Sequence, residues 1–91
     1  MSRKDKVKSL IQQLADEIYD FIREKEPLSK DGWVPTATIK NELELNLVCV
    51  PKANKQYGPK GWVFAALARI LEDQGRIEYK KIGNSSFCKT K

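Results

Sequence analysis

Between residues 62 and 90 the apolar spacing changes from the three- and four-residue repeat of a helix to the two-residue repeat of a strand, with Gly75 at the change. On a helical wheel Val63, Ala66, Leu67, Ile70 and Leu71 cluster, with Phe64 at the margin. Ala65, Arg69 and Glu72 lie opposite, flanked by Trp62 and Asp73. Pro59 suits the first position of this helix, where a missing amide proton is no loss. Gly75 suits its end as a left-handed cap. The run Arg76-Ile77-Glu78-Tyr79-Lys80 then alternates, which turns Ile77 and Tyr79 inward. Gly83-Asn84-Ser85 makes a turn and Phe87-Cys88-Lys89-Thr90 returns, so the chain closes on an antiparallel hairpin.

Upstream, Val7, Leu10, Ile11, Leu14, Ile18, Phe21 and Ile22 form the apolar stripe of a long first helix that Pro27 stops. Core packing is the first reading of that stripe and a dimer seam the second. Asp31-Gly32 reads as a turn, Trp33-Val34 as a very short strand, and Pro35 fits the edge of such a strand because it offers no amide proton. Thr36 is placed to cap a short second helix that ends near Leu45-Asn46, with Ile39 and Leu43 on one face and Ala37 buried on its first turn. Trp33, Tyr79 and Phe87 are assigned to the core between the sheet and the first helix, with Tyr19 packing beside it. Residues 46–58 read as an irregular loop whose apolar run, Leu47 to Val50, either tucks against the core or extends the second helix. The fold class is therefore α+β, mainly α, with three helices and a small antiparallel hairpin.

The 91 residues suffice for a single domain, residues 1–91, around one core. No apolar run approaches the roughly 20 residues of a membrane span, and the first ten residues lack the apolar stretch of a secretory signal. A cytoplasmic protein with no membrane partner is expected. Histidine is absent, which removes Ser-His and Cys-His nucleophile pairs and the usual neutral-pH proton carrier. Cys49 and Cys88 are too few for a familiar zinc set and read as buried or partly buried free thiols. Neither an enzyme, a cofactor nor a metal site is expected.

Charge supplies the functional hint. The net value of +5 favours anionic partners, and its distribution says more than its size. Residues 1–26 balance, residues 27–45 are slightly negative, and residues 46–71 hold Lys52, Lys55, Lys60 and Arg69 with no acid. Lys52, Lys55 and Lys60, with Gln56 beside Tyr57, are candidate phosphate contacts against the plainer reading of a solvated loop. Lys80 and Lys81, near the hairpin turn, could reach a phosphate or protect an edge strand. Arg69 could read a base edge or pair with Glu72 or Asp73 within one turn. Trp62 could stack on a base or sit partly in the core.

Two stretches, WVPTATIKNELEL and WVFAALARILEDQGRIEYKKIGNSSFCKT, give the order helix, short strand, helix, helix, hairpin over nearly the whole chain. This pattern resembles the winged helix-turn-helix superfamily of DNA-binding domains. The resemblance implies a third helix in the major groove and a hairpin wing on the adjacent backbone or minor groove. One departure stands out: roughly 12 residues separate the second and third helices, where three or four are usual. Double-stranded DNA, bound through the third helix, the basic loop and the wing, is the first expectation for a partner. A protein-interaction module and RNA binding are the alternatives. One small module buries little surface on DNA, so specificity would call for a homodimer or a larger parent protein.

Overall fold

The computed structural model describes residues 2–46 and 61–91. Helix α1 spans Arg3–Lys25. It starts where Ser2, in extended conformation, accepts the amide of Asp5 on its hydroxyl at 3.1 Å, satisfying one of the orphan donors of a first helical turn. It gives way to a 3-10 turn at Glu26–Leu28, as Pro27 requires. Asp31 and Gly32 take φ of +55° and +78°, the backbone angles expected of that turn. Strand β1 is Val34–Pro35 and helix α2 is Thr36–Glu42.

Helix α3 spans Trp62–Asp73. It starts three residues later than Pro59, because Gly61 at φ +80° is left-handed and cannot belong to a right-handed helix. At its other end Gly75 takes φ +70°, with its amide bonded to the Glu72 carbonyl and that of Arg76 to Leu71, both at 3.0 Å. This pair of bonds is the Schellman closure that a glycine after the last turn permits. Strands β2, Ile77–Ile82, and β3, Ser85–Thr90, form the hairpin around Gly83, at φ +61°. β1 pairs antiparallel with β3, Val34 opposite Cys88, so the sheet order is β1-β3-β2 and Pro35 lies in an edge strand.

The core joins Ala15, Ile18 and Ile22 of α1 to Phe64, Leu67, Ala68 and Leu71 of α3. Ile39 of α2 and Val34, Ile77 and Cys88 of the sheet complete it. Tyr19 packs at its edge, as expected.

Several sequence-level placements are corrected. The buried face of α3 is centred on Phe64, Leu67, Ala68 and Leu71, and Ala66 is exposed. Its apolar arc is wider than the arc that α1 and the sheet cover, and periodicity does not reveal which edge is covered. Ala37 is exposed, and Thr36 is the first residue of α2 with Pro35 in the cap position. The Thr36 hydroxyl instead meets the Ser86 hydroxyl at 2.6 Å, tying α2 to β3. Helix α2 ends at Glu42, short of Leu45-Asn46, and Leu43 is 36 % exposed.

Trp33 and Phe87 leave the core because the pleat sends alternate residues to opposite faces. Val34 and Cys88 take the inner face, which puts Trp33 and Phe87 on the outer one. Tyr79 shares the inner face with Ile77 and stands opposite buried Cys88, but it borders an open crevice beside α3 and is 47 % exposed.

Candidate nucleic-acid interface

The amide of Gly61 donates to the carbonyl of Asn46 at 3.3 Å. The two residues that flank segment 47–60 therefore meet in space. Lys40 of α2 lies along this junction: a Cβ on Gly61 would stand 3.1 Å from the lysine Cδ and 3.9 Å from Asn46 Oδ1. Glycine is needed at 61 both for its backbone angle and for this close approach. Four of the expected site residues, Lys52, Lys55, Gln56 and Lys60, lie outside the described residues, as does Cys49.

From this junction a crevice of about 330 Å³ runs between α2, α3 and the hairpin. Lys40, Arg69, Glu72 and Tyr79 line its walls, over a floor that includes Phe64 and Ile77. The Thr36–Ser86 hydroxyl pair fixes the α2 side to the strand side. Lys81 sits opposite Ser86 in the ladder and shares the inner face with Tyr79, so it extends this surface along the wing.

Arg69 is on the exposed face of α3, as expected, and its Nε donates to Asp73 Oδ1 at 3.0 Å. That bond, with the Coulomb fields of Asp73 and Glu72, raises the guanidinium pKa further. Both partners are exposed, so water screens the pair and a phosphate can compete for the arginine. Trp62, the first residue of α3, is 38 % exposed.

Lys80 and Lys81 stand on opposite faces of the hairpin. The Lys80 Nζ lies 4.2 Å from the centre of the Trp33 ring and 5.8 Å from that of Phe87, with Lys89 also over Trp33 at 5.7 Å. This outer group is cationic and aromatic, but it faces away from the crevice. Among the expected site residues, then, Arg69 lines the crevice, Lys81 lies on the same face of the hairpin as its wall residue Tyr79, and Lys80 lies on the other face.

Sequence reasoning missed Lys40 and Tyr79 as crevice residues. Lys40 is legible in sequence only as one charge on a short helix, because its position depends on a partner at Gly61. Arg76 serves the fold itself. Its Nη1 donates to Asp16 Oδ1 at 2.6 Å and its guanidinium lies 4.3 Å from the Tyr19 ring centre. The Arg76 bond, aided by Gln12, holds the Asp16 carboxyl below the usual carboxylate range.

Cys88 is a buried free thiol, and burial pushes its pKa up to about 12. The thiolate that nucleophilic chemistry needs is therefore disfavoured. Among the described residues no group of three or more His, Cys, Asp or Glu could hold a metal ion, and no helix is long and apolar enough to cross a membrane. Comparison with protein-family models, curated proteins and solved structures found no match to this chain.

Proposed function

We propose that this chain is a winged helix-turn-helix domain that binds double-stranded DNA, with the α3 face, the crevice beside it and the β2–β3 wing turned to the duplex. One observation carries the reading. Asn46 and Gly61 close the ends of segment 47–60 against Lys40, at the mouth of the crevice that Arg69 lines. The two residues that flank the acid-free stretch with Lys52, Lys55 and Lys60 thus lie beside another lysine and near an arginine. Lys40 and Arg69 on one crevice suit a phosphate backbone, where each contact releases condensed counterions.

The element order and the β1-β3-β2 sheet support the winged-helix assignment. Arg69 lines the crevice from α3, and Lys81 continues its hairpin wall along the wing, on the face of Tyr79. In this arrangement α3 supplies the base-edge contact, and the lysines supply position without sequence information.

A protein-interaction role is the second reading, and one observation favours it: Arg69 is answered by Asp73 and Glu72, which removes net positive charge from that part of α3. Titrating the labelled chain with a short random-sequence duplex separates the two by NMR. The DNA reading expects amide shifts around Lys40, Arg69 and Tyr79 to Lys81. Shifts confined to α1, or none at all, would overturn it.

A further inference from the structure

The N-terminal half of α1 carries an apolar strip that no described residue covers. Val7, Leu10 and Leu14 are 50, 51 and 55 % exposed, whereas Ala15, Ile18 and Ile22, a quarter-turn around the helix, are buried. Arg3, Val7, Leu10, Leu14, Glu17 and Phe21 follow one another at spacings of four and three. That 3.5-residue repeat is the seam of two helices lying side by side. Shallow grooves follow the strip: Leu10, Gln13, Leu14 and Glu17 border one, and Glu17, Asp20, Phe21 and Glu24 border the next, which ends at Leu43.

The Leu10–Leu14 part of the strip lies away from Gly61. Side-chain hydrogen bonds from α1 to α3's end begin at Gln12, which exchanges amide bonds with Gln74 just past the C-terminus of α3. Gly61 is at the other end of that helix, about 18 Å away at 1.5 Å per residue.

Charge identifies the occupant. The start of α1 holds Arg3, Lys4, Lys6 and Lys8 against Asp5, and its second half holds Asp16, Glu17, Asp20 and Glu24 against Arg23 and Lys25. The helix dipole disfavours cations in the first turn, so the charge at that end is not explained by the stability of α1 alone. A helix with cations at one end of an apolar seam and anions at the other is complementary to itself turned end for end. Parallel copies would instead set the cationic ends of both helices side by side.

We propose that two copies of this chain pair through α1 as an antiparallel seam, with Leu10 of each against Leu14 of the other and Lys6 of each opposite Asp20 of the other. The proposal does not depend on nucleic-acid binding and is tested without DNA. Sedimentation of the full chain over a wide concentration range should show the mass rise from 10.4 kDa toward twice that value. Leu10→Glu with Leu14→Glu should hold the chain at monomer mass with an unchanged circular dichroism spectrum, since both side chains are exposed. Lys6→Glu should weaken association roughly tenfold, because the symmetry sets two such pairs in each dimer, and adding Asp20→Lys should restore it.

A chain monomeric at every concentration would overturn the proposal, including one in which segment 47–60 of the same chain protects Leu10 and Leu14. So would association untouched by the two glutamates. Failure of Asp20→Lys to restore the Lys6→Glu variant would overturn the antiparallel register.

Discussion

Lys80 holds its ammonium 4.2 Å from the centre of the Trp33 ring, on the face of the hairpin away from the crevice. Lys81, its neighbour in the chain, shares the other face with Tyr79 and stands opposite Ser86. The pleat thus divides two lysines that look equivalent in sequence. Lys81→Ala should weaken DNA binding and reduce the salt slope by about one contact, while Lys80→Ala leaves both unchanged. Lys80→Ala should instead lower stability by about 0.5–1 kcal/mol through the lost cation–π contact. Fluorescence-anisotropy titrations at several salt concentrations, beside thermal melts, check both halves.

Gly61 and Gly75 offer a matched pair of substitutions. Both have positive φ, so alanine at either position should cost about 1–2 kcal/mol in backbone strain. A Cβ at 75 meets nothing within 4 Å, whereas a Cβ at 61 meets the Lys40 stem at 3.1 Å. Gly61→Ala should therefore also displace Lys40 and lower DNA affinity, and Gly75→Ala should leave affinity unchanged under conditions where both variants are folded. Melting temperature and binding measured on the same samples separate the two effects.

The Thr36–Ser86 hydroxyl bond joins residues 50 positions apart and locks the start of α2 to β3. Thr36→Val keeps the shape of this buried side chain and removes the bond. A loss of about 0.5–1.5 kcal/mol in chemical denaturation is expected. Because Ser86 also lines the crevice, its amide should shift in the NMR spectrum of the variant.

Asp16 makes one limb of the acid denaturation curve predictable. Its carboxyl pKa is lower in the folded chain than the ordinary value of 3.8, because Arg76 and Gln12 bond its charged form. The stabilisation is therefore complete above the unfolded pKa and is lost as pH falls through the folded one. Asp16→Asn should be less stable than the parent near neutral pH, with the difference shrinking as pH drops below about 4. A difference independent of pH would show that the Asp16–Arg76 link does not act through its charge.

Much of the fold is legible in the sequence because it rests on local rules. Seven apolar residues at helical spacing define α1, and Gly75 with the alternation after it defines the end of α3 and the hairpin. What escapes depends on partners distant in sequence. Thr36 looks like a cap because its hydroxyl could serve the next turn, but Ser86 takes it. Trp33 and Phe87 look like core because they are large and apolar, but the ladder that pairs Val34 with Cys88 sends both outward. Strand alternation fixes which residues share a face and not what covers that face, so Tyr79, which borders a crevice, reads as deeper than it lies.

The candidate site is legible to a smaller degree. Acid depletion over residues 46–71 marks the region, and helical spacing puts Arg69 on the exposed side of α3 with its acidic partners within one turn. The contribution of Lys40 arises from the meeting of Asn46 and Gly61, which no spacing rule encodes.

Salt dependence tests the central claim most directly, because a phosphate-binding surface must release counterions as it binds. The observed association constant of the full chain for a short random-sequence duplex should fall with salt along a log–log line of slope about −4 to −5, as four to six phosphate contacts require. A slope near zero would contradict the DNA-binding account.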